Sequence, residues 1–282
     1  MAEKGRESGC TYGSFPVDRR TALTATAFAA AIAVTPAEAT VVADGSATLT
    51  LGRRPIRVVD LTHALTSAFN WMPARPRIAM DPIIGSGLAV GMNLNRLMLV
   101  EHTGTHIDVP RHFANDGKSL GEVPISDLVV PLAILNIADE AKSNPDMGVE
   151  PSHIIAWERK HGALPKGCCV AIDSGYDPLA RMSGTVTGIK AGSPGFSPQA
   201  CDFLIKERDV KGIAVDAMSI DQGHNGPAYP VHQQWLRSGR WGIEGLTNMG
   251  QVPPSGALLF VGAPPIMDTT GMPIRAIAMF ES

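Results

Sequence analysis

The sequence has 282 residues, of which 44% are hydrophobic, and a formal net charge of −3. A chain of this length can form one or two globular domains with a substantial core. Without a basic excess it does not resemble a nucleic-acid-binding protein, and no stretch of the mature chain is long enough to span a bilayer. The 29 glycines and 22 prolines predict a loop-rich α/β or mixed fold rather than a helical bundle.

Residues 1–39 have the pattern of an export signal. Arg19-Arg20 precede an apolar run from Ala22 to Val34, and Ala37-Glu38-Ala39 fits a small-x-small cleavage site. Twin arginines before such a run indicate the twin-arginine route, although Ala22 stands where a bulky apolar residue is common. We therefore expect a signal peptide, a single mature domain over residues 40–282, and a periplasmic protein. The alternatives are a disordered tail or an uncleaved anchor, and a cytoplasmic protein if the segment is not a signal.

Two strands and a long loop are predicted next along the chain. The strands cover Ile56–Thr62 and Asn93–Val100, and the loop covers residues 63–82. Trp71 lies in this loop, where an exposed aromatic side chain is a candidate for substrate contact. The pattern alone leaves open whether Trp71 binds a substrate or is an ordinary packed tryptophan.

The densest group of possible metal ligands occupies residues 102–112. Gly104, several β-branched residues and Pro110 argue against a helix here, so we predict an extended segment with the first three ligands on one face. Imidazole and carboxylate groups suit a catalytic zinc or manganese ion with one open position, which leaves the last histidine as a base. The competing interpretation is a polar strand with hydrogen-bonded histidines. The four residues are His102, His106, Asp108 and His112.

Downstream, apolar runs and capping residues predict strands and helices in alternation. Ser152 and Ser197 stand at the N-caps of predicted helices over His153–His161 and Gln199–Glu207, and Gly162 ends the first of them. The stretch from Gly175 to Pro198 is predicted to be a long loop at the active-site mouth. Many short strands with few helices indicate a mixed-sheet α/β domain. The strands predicted here are Val129–Ile137, Cys168–Asp173, Gly212–Asp216, Ala257–Gly262 and Ile274–Phe280.

Cysteine usage is neutral. Cys168, Cys169 and Cys201 remain after the leader, and this odd number implies no disulfide framework. A bridge from Cys201 to either of the other two is left open.

A second group of possible ligands lies between residues 224 and 244. His224 stands in a Gly- and Asn-rich loop, and His232 lies in a predicted short helix that ends at Gly239. Glu244 is expected to point inward from the start of a strand. The residues alone leave these ligand roles open, and His224 competes with His232 for one position.

The run from His102 to His112 resembles the signature of the metal-dependent cyclase family, which includes bacterial kynurenine formamidase and isatin hydrolase. The signature is His-x-Gly-Thr-His-x-Asp-x-Pro-x-His, and every fixed position is matched. The resemblance implies that His232 and Glu244, twelve residues apart, complete the metal site. It implies that Trp71 contacts the substrate, although the family's Trp-Pro-Gly-Asp pattern is not kept after Trp71. It also implies a swivelling β/β/α, barrel-like sheet with flanking helices, as a homodimer.

The same resemblance implies metal-dependent hydrolysis of a C–N amide bond that is not a peptide link. The substrate would be a small molecule, either an aryl formamide such as N-formylkynurenine or a cyclic amide such as isatin. A metal-activated water would attack, with His112 as general acid and base. The metal would be one or two Zn²⁺ ions or a Mn²⁺ ion, and Glu244 favours the two-metal form. The alternatives are a non-catalytic periplasmic metal- or ligand-binding protein and a biosynthetic cyclase.

Overall fold

The computed structural model describes residues 40–41, 45–51, 54–66, 78–84, 93–178 and 192–281. The expected signal peptide over residues 1–39 and the candidate substrate contact Trp71 lie outside these ranges. Residues Ala37–Ser282 form one compact unit. Within the described ranges, no helix has both the length and the apolar character that a membrane span requires.

The described residues form a strand-rich fold with short helices. The helices are α1 Ala138–Ser143, α2 Pro151–His161, α3 Pro198–Glu207 and α4 Pro230–Arg237. The strands are β1 Thr40–Val41, β2 Ser46–Leu51, β3 Arg54–Asp60, β4 Ala79–Ile84, β5 Leu94–Met98, β6 His106–Asp108, β7 Val129–Asn136, β8 Gly148–Val149, β9 Cys169–Asp173, β10 Gly195–Phe196, β11 Gly212–Val215, β12 Trp241–Glu244, β13 Ala257–Gly262, β14 Gly271–Pro273 and β15 Arg275–Glu281.

One large mixed sheet organises the fold, in the order β1-β2-β3-β15-β13-β7-β9-β11-β12-β6-β14. Strands β7, β9, β11 and β12 are mutually parallel, whereas β6 is antiparallel to both β12 and β14. An antiparallel bridge between Thr62 and Leu246 joins the chain after β3 to the chain after β12. The sheet therefore curls back on itself, and the expected barrel-like α/β architecture is confirmed.

Each face of the sheet packs against its own apolar core. One core contains Ile107 and Ile243 together with residues of β3, β13 and β15, all on the enclosed side of the curl. The other core contains Phe196 and Trp235, where the helices cover the outer face. Fully burying side chains of this size contributes about 1.5–3 kcal/mol each, so the two cores fix which way every central strand faces.

Most predicted elements are present, with two corrections. The loop predicted over residues 63–82 runs into strand β4 despite Pro82, because β4 pairs only with β5 in a two-stranded sheet and its register shifts after Pro82. Helix α2 begins at Pro151 and is capped by Glu150, not by Ser152. Ser197 does cap α3, through a hydrogen bond from the Ala200 backbone N–H.

The structure shows whether the cysteines form a disulfide bridge. Cys168, Cys169 and Cys201 are free and buried, so the bridge left open above is absent from the described residues. Burial raises the pKa of the Cys168 thiol to about 12 and raises the other two well above their ordinary value.

Candidate metal centre

Strand β6 carries the centre of the site. It lies between β12 and β14, and Glu244 of β12 stands directly opposite His106. Residues opposite each other in an antiparallel pair point to the same face, and so do residues two apart in one strand. His106, Asp108 and Glu244 therefore project from one face, and Ile107 enters the core behind them. Glu244 ends its strand, whereas the sequence placed it at a strand start.

His102 reaches the same place by a turn and not along the strand. The extended prediction fails before His106, because Gly104 has a positive φ of 66° and residues 102–105 bend. The bend brings His102 Nδ1 to 2.6 Å from Asp108 Oδ1. The three candidate ligands do meet, but the alternation of strand side chains accounts for only two of them.

Helix α4 supplies a third imidazole, that of His232. His232 Nε2 lies 3.2 Å from Asp108 Oδ2 and 3.1 Å from Glu244 Oε1. Asp221 holds this ring from behind, with its Oδ2 2.6 Å from His232 Nδ1. The same carboxylate accepts the backbone N–H groups of Val231 and His232, at the first turn of α4. Asp221 thereby anchors both the helix and the ring.

The other two central side chains are also held in fixed orientations. His106 Nδ1 donates to the Gly104 carbonyl at 2.8 Å, which turns Nε2 towards Asp108 Oδ1 at 3.3 Å and Glu244 Oε2 at 3.4 Å. Glu244 Oε1 accepts the Ile220 backbone N–H at 3.0 Å. Outer partners of this kind orient metal-binding side chains in known metal sites.

Buried negative charge makes this cluster a good fit for a cation. Asp108 and Glu244 are 1% and 4% exposed, and no Lys or Arg of the described ranges forms an ion pair with either. Asp108 Oδ2 accepts no hydrogen bond from any described residue, although His232 Nε2 lies near it. Buried charges are normally paired or coordinate metals. Nitrogen and carboxylate donors at these spacings suit a divalent transition metal.

The pKa shifts of Asp108 and His232 agree with a cation site in this cluster. Burial alone would raise the pKa of Asp108, but the surrounding imidazoles of His102, His106 and His232 hold it well below its ordinary value. Burial would likewise lower the pKa of His232, but Asp108, Asp221 and Glu244 raise it well above its ordinary value. The carboxylates thus attract protons onto the imidazoles, and a bound cation would displace these protons.

His112 lies beside this cluster in a short 3₁₀ helix, Pro110–His112. Its ring stacks on His102 with centroids 3.9 Å apart. Burial, followed by the neighbouring imidazoles, lowers the pKa of His112 to about 4, so its ring is neutral near pH 7. The donor atoms of Asp108, His112 and His232 lie within 4.8 Å of one another, so a ligand role for His112 is also sterically open.

Comparison with known proteins decides the family. The Cyclase family model matches residues 59–222, more than half of the chain. The chain belongs to the cyclase family. It is 30% identical to the isatin hydrolase of Roseibium aggregatum over 198 residues, which cover 66% of this chain and 74% of that protein. It is 26% identical to the kynurenine formamidase of Polaromonas naphthalenivorans over 225 residues, covering 79% and 91% of the two chains.

Solved structures agree with the sequence comparison. Isatin hydrolase A from Labrenzia aggregata, solved with benzyl benzoate, aligns with a TM-score of 0.72 and 30% identity, covering 80% of this chain and 94% of that one. An isatin hydrolase bound to the product analogue thioisatinate aligns with a TM-score of 0.72 and 27% identity, covering 80% and 93%. Together with these relatives, the cluster identifies this cyclase-family chain as a hydrolase of non-peptide amide bonds.

The fold of this cyclase distinguishes between His224 and His232, the two candidates for one ligand position. His224 is exposed and pairs with Asp146, whose Oδ2 also accepts the His224 backbone N–H, so His224 lies outside the cluster. His232 lies inside it. The sequence reasoning missed Asp221, which holds His232, and it also missed Glu101 and Thr270 near His102. Asp221 lies nine residues before Pro230, the first residue of α4, so its contact with this helix leaves no local pattern in the sequence.

Proposed function

We propose that this protein hydrolyses the C–N bond of a cyclic amide such as isatin, with the six-residue cluster as its active site. The observation that carries the proposal is the convergence of four histidines and two buried carboxylates on one face of β6, β12 and α4. The similarity to isatin hydrolases in sequence and structure supports a cyclic amide. The cluster consists of His102, His106, Asp108, His112, His232 and Glu244.

A divalent cation, when bound, polarises an amide carbonyl and makes water a better nucleophile at neutral pH. Asp108 and Glu244 would supply the negative charge that holds such a cation, and the imidazoles of His102, His106 and His232 would complete the ligands. His112 accepts the proton of the attacking water as its oxygen bonds to the carbonyl carbon. His112 then gives that proton to the nitrogen as the C–N bond breaks. General acid–base catalysis of this kind typically contributes about 10²–10⁴-fold.

Zinc is our first candidate for the metal, with manganese as the alternative. His102, His106 and Asp108 form one group of donor atoms. His232 and Glu244 provide further donors on the same face, with His232 Nε2 3.2 Å from Asp108 Oδ2 and 3.1 Å from Glu244 Oε1. Asp108 Oδ1 lies near His102 and His106, whereas Asp108 Oδ2 lies near His232, so this carboxylate offers a donor atom to each group of imidazoles. Two cations are therefore our expected occupancy, and elemental analysis of purified protein with one bound ion would contradict it.

The substrate proposal is tested with purified protein loaded with zinc or with manganese. We expect turnover of isatin that EDTA abolishes and added metal restores. Turnover that survives complete chelation would contradict the proposal, as would metal-loaded protein that hydrolyses neither isatin nor N-formylkynurenine. An aryl formamide is the second candidate, because kynurenine formamidases are among the relatives and the site retains Glu244. A higher kcat/KM for N-formylkynurenine would select it.

The role of His112 separates an enzyme from a metal-binding protein without turnover. We expect His112→Ala to reduce kcat by about 10²–10⁴-fold while the bound metal stays at the wild-type level. His224→Ala is the matched control, because that histidine is exposed and outside the cluster. If His112→Ala instead loses metal, His112 is a ligand; if it changes neither quantity, the assigned proton transfer is wrong.

We also propose that the protein is a homodimer. The antiparallel strands β4 and β5 expose large apolar side chains, among them Ile83 at 60% and Leu97 at 59%. Exposed apolar patches commonly mark protein interfaces, and a second copy of this chain is the partner that the resemblance implies. Light scattering should give a dimer for the wild type and a monomer for the Ile83→Glu, Leu97→Glu double variant. A wild-type monomer would refute this assignment.

Finally, we propose export to the periplasm through the twin-arginine signal in residues 1–39. The support is the pattern of Arg19-Arg20, the apolar run after it and the Ala37-Glu38-Ala39 site. Cell fractionation should find the mature protein, beginning near Thr40, in the periplasm. Replacing both arginines with lysine should retain the full-length chain in the cytoplasm. Equal fractionation of both versions would show that these residues are no signal.

A further inference from the structure

His102 is held from outside the metal centre by two residues that no motif contains. Its Nε2 lies 2.9 Å from Thr270 Oγ1, on the side of the ring away from Asp108. The Thr270 hydroxyl in turn donates to Glu101 Oε2. The Thr270 backbone N–H donates to the same oxygen at 3.2 Å. A chain of contacts therefore runs from the partly exposed Glu101 carboxylate, through one hydroxyl, to a buried imidazole.

The chemistry of the three groups sets the direction of these hydrogen bonds. An ionised carboxylate accepts only, so Glu101 takes the single proton of the Thr270 hydroxyl. The Thr270 oxygen then has only lone pairs left for His102, so His102 Nε2 must carry the hydrogen that it donates. In a neutral imidazole the other nitrogen, Nδ1, is then free of a proton. Nδ1 is the nitrogen that lies 2.6 Å from Asp108 Oδ1, where the cation would sit.

The neighbouring glycine gives this ring its space. Gly271 begins β14 opposite Asp108, and a Cβ there would lie 2.7 Å from His102 Cε1 and 2.4 Å from the Ile107 carbonyl oxygen.

The other two imidazoles of the proposed ligand set contact their outer partners through the other ring nitrogen. His106 and His232 are bonded at Nδ1, by the Gly104 carbonyl and by Asp221, and present Nε2 to the centre.

We propose that Thr270 and Glu101 are positioning residues that fix His102 as its Nε2-protonated tautomer, so that it binds the cation through Nδ1. This inference rests on the cation site of the proposed function. It adds that the site would combine one Nδ1 ligand with Nε2 ligands. Two residues select Nδ1: Thr270, directly before β14, and Glu101, directly before His102. Outer partners of metal-binding histidines typically contribute about 10–100-fold to metal affinity.

The first test compares Thr270→Val with Thr270→Ser and with Thr269→Val. Valine keeps the shape and removes the hydroxyl, serine restores the hydroxyl, and Thr269 is the matched control because its hydroxyl donates only to the Ile266 carbonyl. Zinc affinity is measured by competition with a chelator. We expect Thr270→Val to bind zinc about 10–100-fold more weakly, with both other variants close to the wild type. Equal affinity of Thr270→Val and wild type, or a serine variant as weak as the valine variant, would overturn the proposal.

The second test reads the tautomer itself. In zinc-loaded protein labelled with ¹⁵N-histidine, the His102 ring should show a protonated Nε2 and a metal-bound Nδ1. Thr270→Val should lose the protection of that Nε2–H from exchange with water, whereas a purely structural role would leave the ring signals unchanged. A ring with metal-bound Nε2 in the wild type would refute the assignment.

Glu101→Gln provides an independent variant that preserves the fold. The amide can donate to the Thr270 oxygen, which frees the hydroxyl proton to point at His102 Nε2 and favours the wrong tautomer. We expect weaker zinc binding than in Glu140→Gln, a control on an exposed carboxylate of α1. Wild-type affinity in Glu101→Gln would remove Glu101 from the proposal. If wild-type protein hydrolyses amides with zinc bound and all these variants match it, only this inference fails; if wild-type protein binds no zinc, the proposed function fails as well.

Discussion

Replacing Asp221 with asparagine tests whether the site depends on the carboxylate behind His232. Asp221 is 1% exposed and contacts His232 Nδ1 at 2.6 Å and the backbone N–H groups of Val231 and His232 at 2.8 and 3.0 Å. Asparagine has nearly the same shape but only one acceptor oxygen. If that oxygen keeps the Val231 N–H, the amide NH₂ faces both the N–H and the ring of His232. Nδ1 must then accept a hydrogen bond from the amide, and in the neutral ring the proton lies on Nε2. The nitrogen that faces the cation is then blocked.

The expected loss follows from this change of tautomer. Partners of metal-binding histidines typically contribute about 10–100-fold to metal affinity, which corresponds to roughly 1.4–2.8 kcal/mol. We therefore expect Asp221→Asn to bind zinc about 10–100-fold more weakly, and to recover much of its kcat when zinc is in large excess. Chelator competition gives the affinity, and steady-state kinetics at two zinc concentrations give the recovery.

A second Asp–His pair in the chain offers a matched control. Asp146 also accepts the backbone N–H of a histidine and contacts its Nδ1, but that histidine is the exposed His224. Asp146→Asn should lower stability by loosening the loop around Ser193, without changing zinc affinity. Equal zinc affinities for wild type and Asp221→Asn would refute the reasoning, and so would equal losses in the two variants.

Three further outcomes are expected. Gly271→Ala should weaken zinc binding because its Cβ would meet the His102 ring. Gly250→Ala is the control, because nothing lies within 4 Å of a Cβ there, and it should bind zinc like the wild type. Equal zinc affinities of the two variants would contradict the steric argument. Burial raises the pKa of Asp216 from 3.8 to about 7, so it stabilises the fold below about pH 4 and loses this contribution as the pH rises through 7. In urea titrations with EDTA, Asp216→Asn should therefore lose less stability than wild type between pH 5 and 8, by about 3 kcal/mol at most. Parallel pH profiles would refute this. In a Cys10→Ser chain, Ellman's reagent should label none of the buried thiols until guanidinium unfolds the protein, and fast native labelling would contradict their raised pKa values.

The sequence predicted the parts of the site that depend on neighbouring residues. His106 and Asp108 are two apart in one strand, so their common face follows from strand geometry. His102 belongs to the same motif, but its position depends on the turn at Gly104, which brings its ring back onto Asp108. A motif that is continuous in sequence therefore folds into a strand and a turn, and local propensity could not locate the boundary.

The remaining contacts depend on partners that lie far apart along the chain. Glu244 faces His106 because of the register between β12 and β6, and Thr270 reaches Glu101 across 169 residues. Neither relation leaves a local pattern, so Glu101 and Thr270 could not be singled out. The resemblance to a family supplied His232 and Glu244, whereas the roles of Asp221 and Thr270 required the folded arrangement.

The register between β6 and β12 has a consequence for how this protein can change. His106 pairs with Glu244 on the reactive side, and Ile107 pairs with Ile243 on the core side of the same two strands. Deleting or inserting one residue in either strand would turn the reactive groups inward and the isoleucines outward together. Length changes here would destroy chemistry and folding at once, so new specificities must arise in the loops around the mouth, with these two strands kept at constant length.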